Sequence, residues 1–209
     1  MSHVSEAIAK PFDLSGGLLC LDFANTARHA GTAPREDLPT YGALVAFGEQ
    51  AGILTRADAR ALRTSGARRP GDAARVLARA LALRTAIYRI FSSIAAGKRV
   101  RPEDLSVLDG MAGEAAAHAH LTAHDGVFRW ELDAGALRDL EGPLWPIVRS
   151  ATDLLTSEHL ATVRECALET CSWLFLDHSK NQKRRWCDMK ICGNRSKVRR
   201  HYARTKGSA

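Results

Sequence analysis

The sequence predicts an α+β fold: a mostly helical N-terminal domain with a small β-sheet, followed by a small C-terminal module that contains four cysteines. Three observations indicate this fold. Apolar residues recur at helical spacing through most of the chain, two short segments alternate as strands do, and four of the five cysteines lie in the last quarter of the 209 residues. A chain of this length can bury its own core, and we expect domains at residues 1–160 and 161–209.

The first predicted element is a strand in the apolar run GGLLCLDFANT. Leu19, Leu21 and Phe23 would occupy one face of this strand and Asp22 the other. Turn-forming residues end the run, as they do at many strand ends. Because polar groups at a strand end can line a pocket, Asp22 and Asn25 are candidates for a ligand pocket, although both residue types more often form turns.

Helices are predicted next. Residues 41–54 have helix-compatible apolar spacing, and a second short helix begins behind a cap at Thr55. The strongest periodic signal covers residues 72–97, where apolar residues recur at alternating steps of four and three while arginines occupy other faces. This segment should form the central helix and end at Gly97.

The elements after the central helix complete the N-terminal domain. Pro102 suits the first turn of a helix, and the Ala-rich residues 103–121 should continue it. The segment VFRWEL (127–132) alternates as a half-buried strand does, and it could pair with the first strand. Residues 144–155 carry an apolar helical stripe that Pro146 interrupts only near its start.

Charge is distributed unevenly along the chain. The segment from 178 to 209 holds eleven of the 30 Lys and Arg residues but one of the 23 Asp and Glu residues, which gives it a net charge of +10 and leaves −3 for the rest. A near-neutral body with a compact cationic end is typical of a protein whose terminal module binds nucleic acid.

Hydropathy and cysteine use indicate the compartment. No apolar run approaches the roughly 18 residues that a membrane span needs, and the N-terminus lacks the basic-then-apolar layout of a secretory signal. We therefore expect a cytoplasmic protein without a membrane partner, associated with the nucleoid if it binds DNA. A reducing compartment disfavours disulfides.

The four late cysteines form two pairs with the same internal spacing. Cys166 and Cys171 are separated by four residues, as are Cys187 and Cys192, and fifteen residues lie between the pairs. Two such pairs across a short loop are typical of four thiolates that converge on zinc. Structural disulfides, four unrelated buried thiols and an iron–sulfur cluster are the alternatives, and the common spacings of the last are tighter.

Four protein ligands would leave no open coordination position, so we expect one structural Zn²⁺ per chain rather than a catalytic one. Zinc binding and folding are coupled in small modules, so removal of the ion should unfold this one. Trp173, Phe175 and Trp186 should form its core. Ile191, Val198 and Tyr202 fall at helical spacing on one side of a helix whose outer face is cationic.

The residues around these cysteines resemble a known family. CGNRSKVRRHYAR, preceded by CALETCSWLFLD and DHSKNQKRRWCDM, is similar to the CGNR-type zinc finger of bacterial proteins that carry an N-terminal ABATE domain. LCLDFANT, FRWEL and LLTSEHLATVREC extend the resemblance over nearly the whole chain. It implies a stress-induced transcription regulator in which the four cysteines bind zinc and Gly193, Asn194 and Arg195 complete the signature.

The first functional hypothesis is a DNA-binding regulator. The zinc module would position the basic helix, whose cations would neutralise phosphates while one or two reach base edges. The cations predicted to contact DNA are Lys183, Arg184, Arg185, Arg195, Lys197, Arg199 and Arg200. The alternative is a basic helix that only solvates a small domain, or that binds RNA or an acidic protein.

Other functional classes have less support in the sequence. The N-terminal domain could sense a small-molecule effector at Asp22 and Asn25, with the finger as its output. No nucleophile elbow, phosphate loop or hydrolase metal motif is present, so we do not expect an enzyme. His120 and His124 could bind a metal if the helix extended that far, beside His118. A homodimer would fit a palindromic DNA site.

Overall fold

The computed structural model describes residues 12–28 and 35–206. Its elements are seven α-helices, six short strands and several tight helical turns. In chain order they are α1 (Leu19–Ala24), β1 (Ala27–Arg28), β2 (Arg35–Glu36), α2 (Tyr41–Gln50), α3 (Arg56–Arg68), α4 (Pro70–Ala95), α5 (Pro102–Ala117), β3 (Ala119–His124), β4 (Val127–Leu132), α6 (Leu144–Leu155), β5 (Val163–Glu165), β6 (Leu174–Leu176) and α7 (Asn194–Lys206). The α+β class predicted from the sequence is confirmed.

Local signals account for the predicted helices α2 to α4. The N-cap hydroxyl of Thr55 accepts a hydrogen bond from the Asp58 backbone N–H at 3.1 Å, which satisfies one of the open donors at the start of α3. Pro70 occupies the first turn of α4, where its missing N–H costs nothing. Gly97 follows α4 with φ of +65°, a left-handed conformation that glycine adopts without strain.

Helix α4 is central to the main core, as its periodicity predicts. Its residues Val76, Leu83, Ile87 and Ile90 are buried, and the helix contacts α1, α2, α3, α5 and the strands of the C-terminal sheet. Helix α6 packs on α1 and α5. Helices packed on the buried side of α4 therefore form the body of the protein.

The first predicted strand is wrong, because residues 19–24 form helix α1. The Leu18 carbonyl accepts hydrogen bonds from the N–H groups of Leu21 and Asp22, at 3.0 and 2.9 Å, which closes a helical turn. Every residue from Cys20 to Ala24 is buried. An apolar run that is buried on all sides has no exposed face, so alternation cannot separate a strand from a helix.

The strand over residues 127–132 is confirmed, but its predicted partner is wrong. Its predicted half-burial is also wrong, because its first five residues are exposed. Helix α5 ends at Ala117 instead of extending to residue 121, and residues 119–124 form β3, which pairs antiparallel with β4. Asp125 and Gly126, with φ of +50° and +78°, form the two-residue turn that such a hairpin needs. The described residues contain three separate two-stranded antiparallel sheets rather than one.

Strand β6 joins the C-terminal module to the body. Its first and last residues, Leu174 and Leu176, belong to the main core, whereas Phe175 between them packs with the cysteines. One edge of β6 pairs with β5. The other edge of β6 is hydrogen-bonded to the side chain of Asn25. This side chain donates to the Leu174 carbonyl and accepts from the Leu174 N–H, both at 2.9 Å. The module is therefore built onto the body.

Helix length and hydropathy bear on membrane insertion. Over residues 12–28 and 35–206, no helix combines the length and apolar character that crossing a bilayer requires.

Candidate metal centre

Four different local structures bring the cysteines together. Cys166 follows β5, Cys171 ends a short loop before β6, and Cys187 follows the long loop after β6. Cys192 lies in a wide helical turn over Met189–Gly193, directly before α7. Asp188 begins this turn, and its carboxylate accepts a hydrogen bond from the Ile191 N–H at 2.7 Å, as an N-cap residue does.

The sulfur geometry fits one tetrahedral metal ion. All four Sγ atoms lie within 4.8 Å of one another and all four residues are buried. The Cys171–Cys187 and Cys187–Cys192 sulfur distances are both 3.6 Å. Zinc–sulfur bonds of about 2.3 Å in a tetrahedron separate the sulfurs by about 3.8 Å. A disulfide needs about 2.05 Å, so these free thiols are arranged for a metal.

Without a cation the four sulfurs cannot all be deprotonated. Contacts with Cys171 and Cys187 lower the pKa of Cys166 to about 2, and the contact with Cys166 raises the pKa of Cys171 to about 12. A contact with Cys166 also raises the pKa of Cys187, and burial raises the pKa of Cys192. A divalent ion must therefore displace protons from the thiols, which makes metal affinity fall as pH falls.

Arg184 holds the backbone at the third ligand, Cys187, through hydrogen bonds. Its Nε donates to the Trp186 carbonyl at 2.8 Å, and its Nη2 donates to the Cys187 carbonyl. Its guanidinium lies 4.7 Å from the centroid of the Phe175 ring, within range of a cation–π contact. The positive charge also lies near a site that would carry about −2 with four thiolates and Zn²⁺.

Asp177 organises the loop that leads to Arg184. This buried carboxylate accepts hydrogen bonds from the N–H and hydroxyl of Ser179, at 2.9 and 2.6 Å, and from the Arg184 N–H at 2.8 Å. Burial opposes ionisation, but these hydrogen bonds hold the pKa of Asp177 below its ordinary value. Sequence reasoning missed this residue. The signal is an Asp two positions before a Ser, a pattern that forms Asx turns.

The first ligand is anchored to the central helix. Glu165 precedes Cys166, and its carboxylate accepts hydrogen bonds from the Ser92 hydroxyl at 2.6 Å and the Tyr88 hydroxyl at 3.3 Å. Both hydroxyls project from α4. The predicted module core is also present, with Phe175 buried and Trp173 and Trp186 packed against the cysteines.

The predicted nucleic-acid-binding cations occupy three kinds of position. Lys183 and Arg185 are exposed on the loop before Cys187, and Arg184 on the same loop is half-buried. The exposed cations on α7 are Arg195, Lys197 and Arg199. The Nη1 atom of Arg199 lies 3.6 Å from the Glu169 carboxylate. Arg200 belongs to α7, but its side chain lies outside the described residues.

Helix α7 exposes apolar as well as cationic side chains. Ile191, Val198 and Tyr202 are all exposed, although their spacing suggested a face turned away from solvent. A groove of about 580 Å³ runs between α7 and the loop after Cys166, and Lys190, Arg195 and Arg199 line it together with apolar residues.

Asp22 and Asn25, the candidate ligand-pocket residues, are both buried. Asp22 accepts a hydrogen bond from the Gly16 N–H at 2.7 Å, and burial raises the pKa of its carboxyl to about 6. Asn25 is bonded to β6, as described above. A ligand pocket at these residues stays a prediction.

The predicted histidine pair does not lie on a helix. His120 and His124 are exposed on β3, and His118 follows the end of α5 with its ring 5.2 Å from that of Trp145. Among the described residues, the four cysteines are the one group of three or more metal-type side chains close enough to share an ion.

Fold and site together define a mostly helical α+β protein that ends in a four-cysteine zinc finger holding one structural Zn²⁺. The CGNR zinc finger model matches residues 162–205. The ABATE model, described as "Putative stress-induced transcription regulator", matches residues 17–158. The chain therefore belongs to the ABATE family, and the predicted resemblance is confirmed. Neither description names an enzyme. No curated protein shows significant similarity to the chain.

Proposed function

We propose that the protein is a DNA-binding transcription regulator in which the zinc centre orients α7 toward DNA. The observation that carries the proposal is the direct connection between ligand and helix: Cys192 and Gly193 end the turn that leads into α7 at Asn194. An ion that fixes Cys192 therefore also fixes the direction of the helix.

The dimensions and charge of α7 suit the major groove. A helix of 13 residues is about 20 Å long and, with its side chains, about 10–12 Å across, which fits a major groove about 12 Å wide. The exposed cations Arg195, Lys197 and Arg199 would neutralise phosphates, and the exposed Lys183 and Arg185 would add further phosphate contacts. Arg200, also on α7, stays a predicted contact.

Arg184 has a different part in this proposal. Two of its nitrogen groups already donate to backbone carbonyls beside the metal centre, so its charge reaches DNA at longer range than that of its exposed neighbours. We assign it to support of the zinc site, and a direct contact with DNA stays a prediction.

The wider functional predictions follow from this one. The family description "Putative stress-induced transcription regulator" supports a binding protein rather than an enzyme. A protein that binds DNA would be located in the cytoplasm at the nucleoid. A small-molecule effector at Asp22 and Asn25 stays a prediction, and a thermal-shift screen with metabolites tests it because a ligand of the native state raises the melting temperature.

Fluorescence anisotropy of the zinc-loaded full chain on duplex DNA tests DNA binding. The affinity should fall steeply between ~50 and ~200 mM salt, as expected when phosphate contacts release counterions. Replacing Arg195, Lys197 and Arg199 by Ala should reduce the slope of log affinity against log salt by about 3.

The matched control replaces three exposed cations of the body, Arg56, Arg60 and Lys98, by Ala. It removes the same charge outside the finger and should leave most of the slope intact. Absence of binding at low salt, a salt-independent affinity, or equal losses in the two triple variants would contradict the proposal. A parallel titration with duplex RNA separates DNA binding from the RNA alternative.

A further inference from the structure

The β3–β4 hairpin has one apolar face and one mostly polar face. In its register Leu121 lies opposite Trp130 and Ala123 lies opposite Phe128. Because side chains alternate along a strand, these four residues share one face. The opposite face carries His120, Thr122, His124, Val127, Arg129 and Glu131.

The apolar face is open to solvent. Leu121 is 57% exposed, Phe128 69% and Trp130 57%. A large aromatic side chain covers about 150–250 Å², so these three side chains present roughly 300–400 Å² of apolar surface. The largest apolar patch on a typical monomer measures about 300–600 Å² and is often functional.

A concave apolar surface lies beside this convex one. Alanines of α5, together with Trp130, Leu132 and Val148, line a cavity of about 260 Å³. Pockets for whole ligands usually enclose about 300–1,000 Å³, so this cavity is better matched to an inserted side chain. Its rim carries Arg149 and Asp153, whose Nε and Oδ2 atoms are 3.5 Å apart.

We propose that this surface, the hairpin face together with the adjacent cavity, binds a second copy of the same chain in a two-fold dimer. A projection and a recess on one surface are self-complementary, since a two-fold axis lets each copy insert Phe128 into the recess of the other. Each contact is then made twice.

Charge also favours a second copy over other partners. The surface holds one cation and one carboxylate, already paired with each other, so it attracts neither nucleic acid nor an acidic protein. Two fingers, each with a net charge of +10 from residue 178 onward, repel each other more strongly than two bodies, each with a net charge of −3 up to residue 177. Self-association is therefore directed to the body and leaves α7 free.

Area is consistent with a stable interface. A standard interface buries about 800 Å² on each partner, and the hairpin face supplies nearly half of this before the walls of the recess are counted. An isolated two-stranded hairpin is only marginally stable. A second copy would cover the apolar face of β3 and β4 and stabilise both strands.

Sedimentation equilibrium of the zinc-loaded full chain from ~1 to ~100 µM tests this proposal. The chain mass is 22.8 kDa, and the mass should approach twice that value as concentration rises. Phe128→Glu should weaken dimerisation at least about 30-fold, as expected for a central interface residue. Ala116→Trp, which fills the recess from α5 and leaves the hairpin intact, should do the same.

Val127→Glu is the matched control. It introduces the same charge on the same hairpin, at a residue 51% exposed on the opposite face, and should leave the dimer unchanged. Circular dichroism verifies that each variant is folded. A wild-type mass of 22.8 kDa at every concentration overturns the proposal, even if the surface then binds another protein or a lipid. So does a dimer that survives Phe128→Glu, or one that Val127→Glu dissociates equally. None of these outcomes affects DNA binding by α7.

Discussion

Arg184 and Arg185 are adjacent in the chain, yet their side chains have different environments. Arg185 is exposed, with its guanidinium carbon 5.5 Å from the centroid of the Trp186 ring. Arg184 is half-buried and donates to the carbonyls of Trp186 and Cys187. Both are cations in a basic segment, so a count of charges treats them alike. At the residue scale, the direction of the side chain decides between a surface charge and a support of the metal ligand.

Replacing Arg184 by Lys should weaken zinc binding. A lysine keeps the charge, but its single ammonium cannot reproduce the planar contacts with two carbonyls and the Phe175 ring. Loss of a group that orients a metal ligand typically costs about 10–100-fold in affinity. Competition with a chromophoric chelator measures the change. The control is Arg185→Lys, which should bind zinc as the wild type does. Equal affinities for all three proteins would contradict the assigned role.

Asp22 should make the stability of the protein depend on pH. Burial raises its pKa from 3.8 to about 6 in the folded state, so the folded state holds this proton more strongly than the unfolded state does. Its contribution is fully present below about pH 4 and is lost as pH rises through about 6. Above that pH, keeping the carboxylate charged and buried lowers the free energy of unfolding.

Asp22→Asn should therefore stabilise the protein at neutral pH. Asparagine can still accept from the Gly16 N–H, and it carries no charge. A shift of about two pKa units corresponds to at most about 3 kcal/mol, and we expect about 1–2 kcal/mol at pH 7. Urea unfolding of both proteins between pH 4 and 8 measures the difference, which should shrink toward pH 4. A variant less stable than wild type at pH 7 is the contrary result.

At the element scale, the fold is predictable where helices have one exposed face. Helices α2, α3, α4 and α6 were found from apolar periodicity and caps, because each has a solvent side that interrupts the apolar pattern. Helix α1 has no such side. Strand β3 is rich in Ala and His, which do not favour strands. It forms because the turn at Asp125 and Gly126 brings it beside β4.

The metal centre also has some features that the sequence predicts and others that it does not. Its ligands are readable from the sequence because the spacing of four cysteines is a local property. The contacts of Arg184 and Asp177 depend on the path of a long loop. The contact of Asn25 with Leu174 joins residues 149 positions apart, and no local sequence pattern predicts it.

Asn25→Ala should destabilise the sheet that carries the finger. The substitution leaves the buried N–H and carbonyl of Leu174 without their partner on this edge, and each such loss costs about 1–3 kcal/mol. Urea unfolding should show a loss of about 2–4 kcal/mol. Asn194→Ala is the control, since its amide bonds to the Lys190 carbonyl at an exposed site, and should cost less than about 1 kcal/mol. Similar losses for both variants would argue against the role of Asn25.

At the scale of the whole molecule, β6 belongs to two cores at once. Leu174 and Leu176 pack in the main core and Phe175 packs with the cysteines. The boundary predicted at residue 160 stays a prediction, and the two family models meet near it, at 158 and 162. We expect this boundary to separate two sequence families without separating two units that unfold independently.

Zinc removal should therefore loosen part of the body as well as the finger. Hydrogen exchange followed by mass spectrometry, before and after chelation, should show loss of protection in residues 162–206 and also in α1, which contacts β6. Helix α3, which packs against α2 and α4, serves as the internal control and should stay protected. Unchanged protection of α1 would mean that the finger unfolds alone.

A strand shared by two cores also has a consequence for how far apart two fingers can stand. If each copy holds its finger rigidly through β6, the distance between the two fingers of a two-fold dimer is fixed. The distance between paired operator half-sites, and their helical phase along the duplex, would then be dictated by the body of the protein and not by the length of a tether.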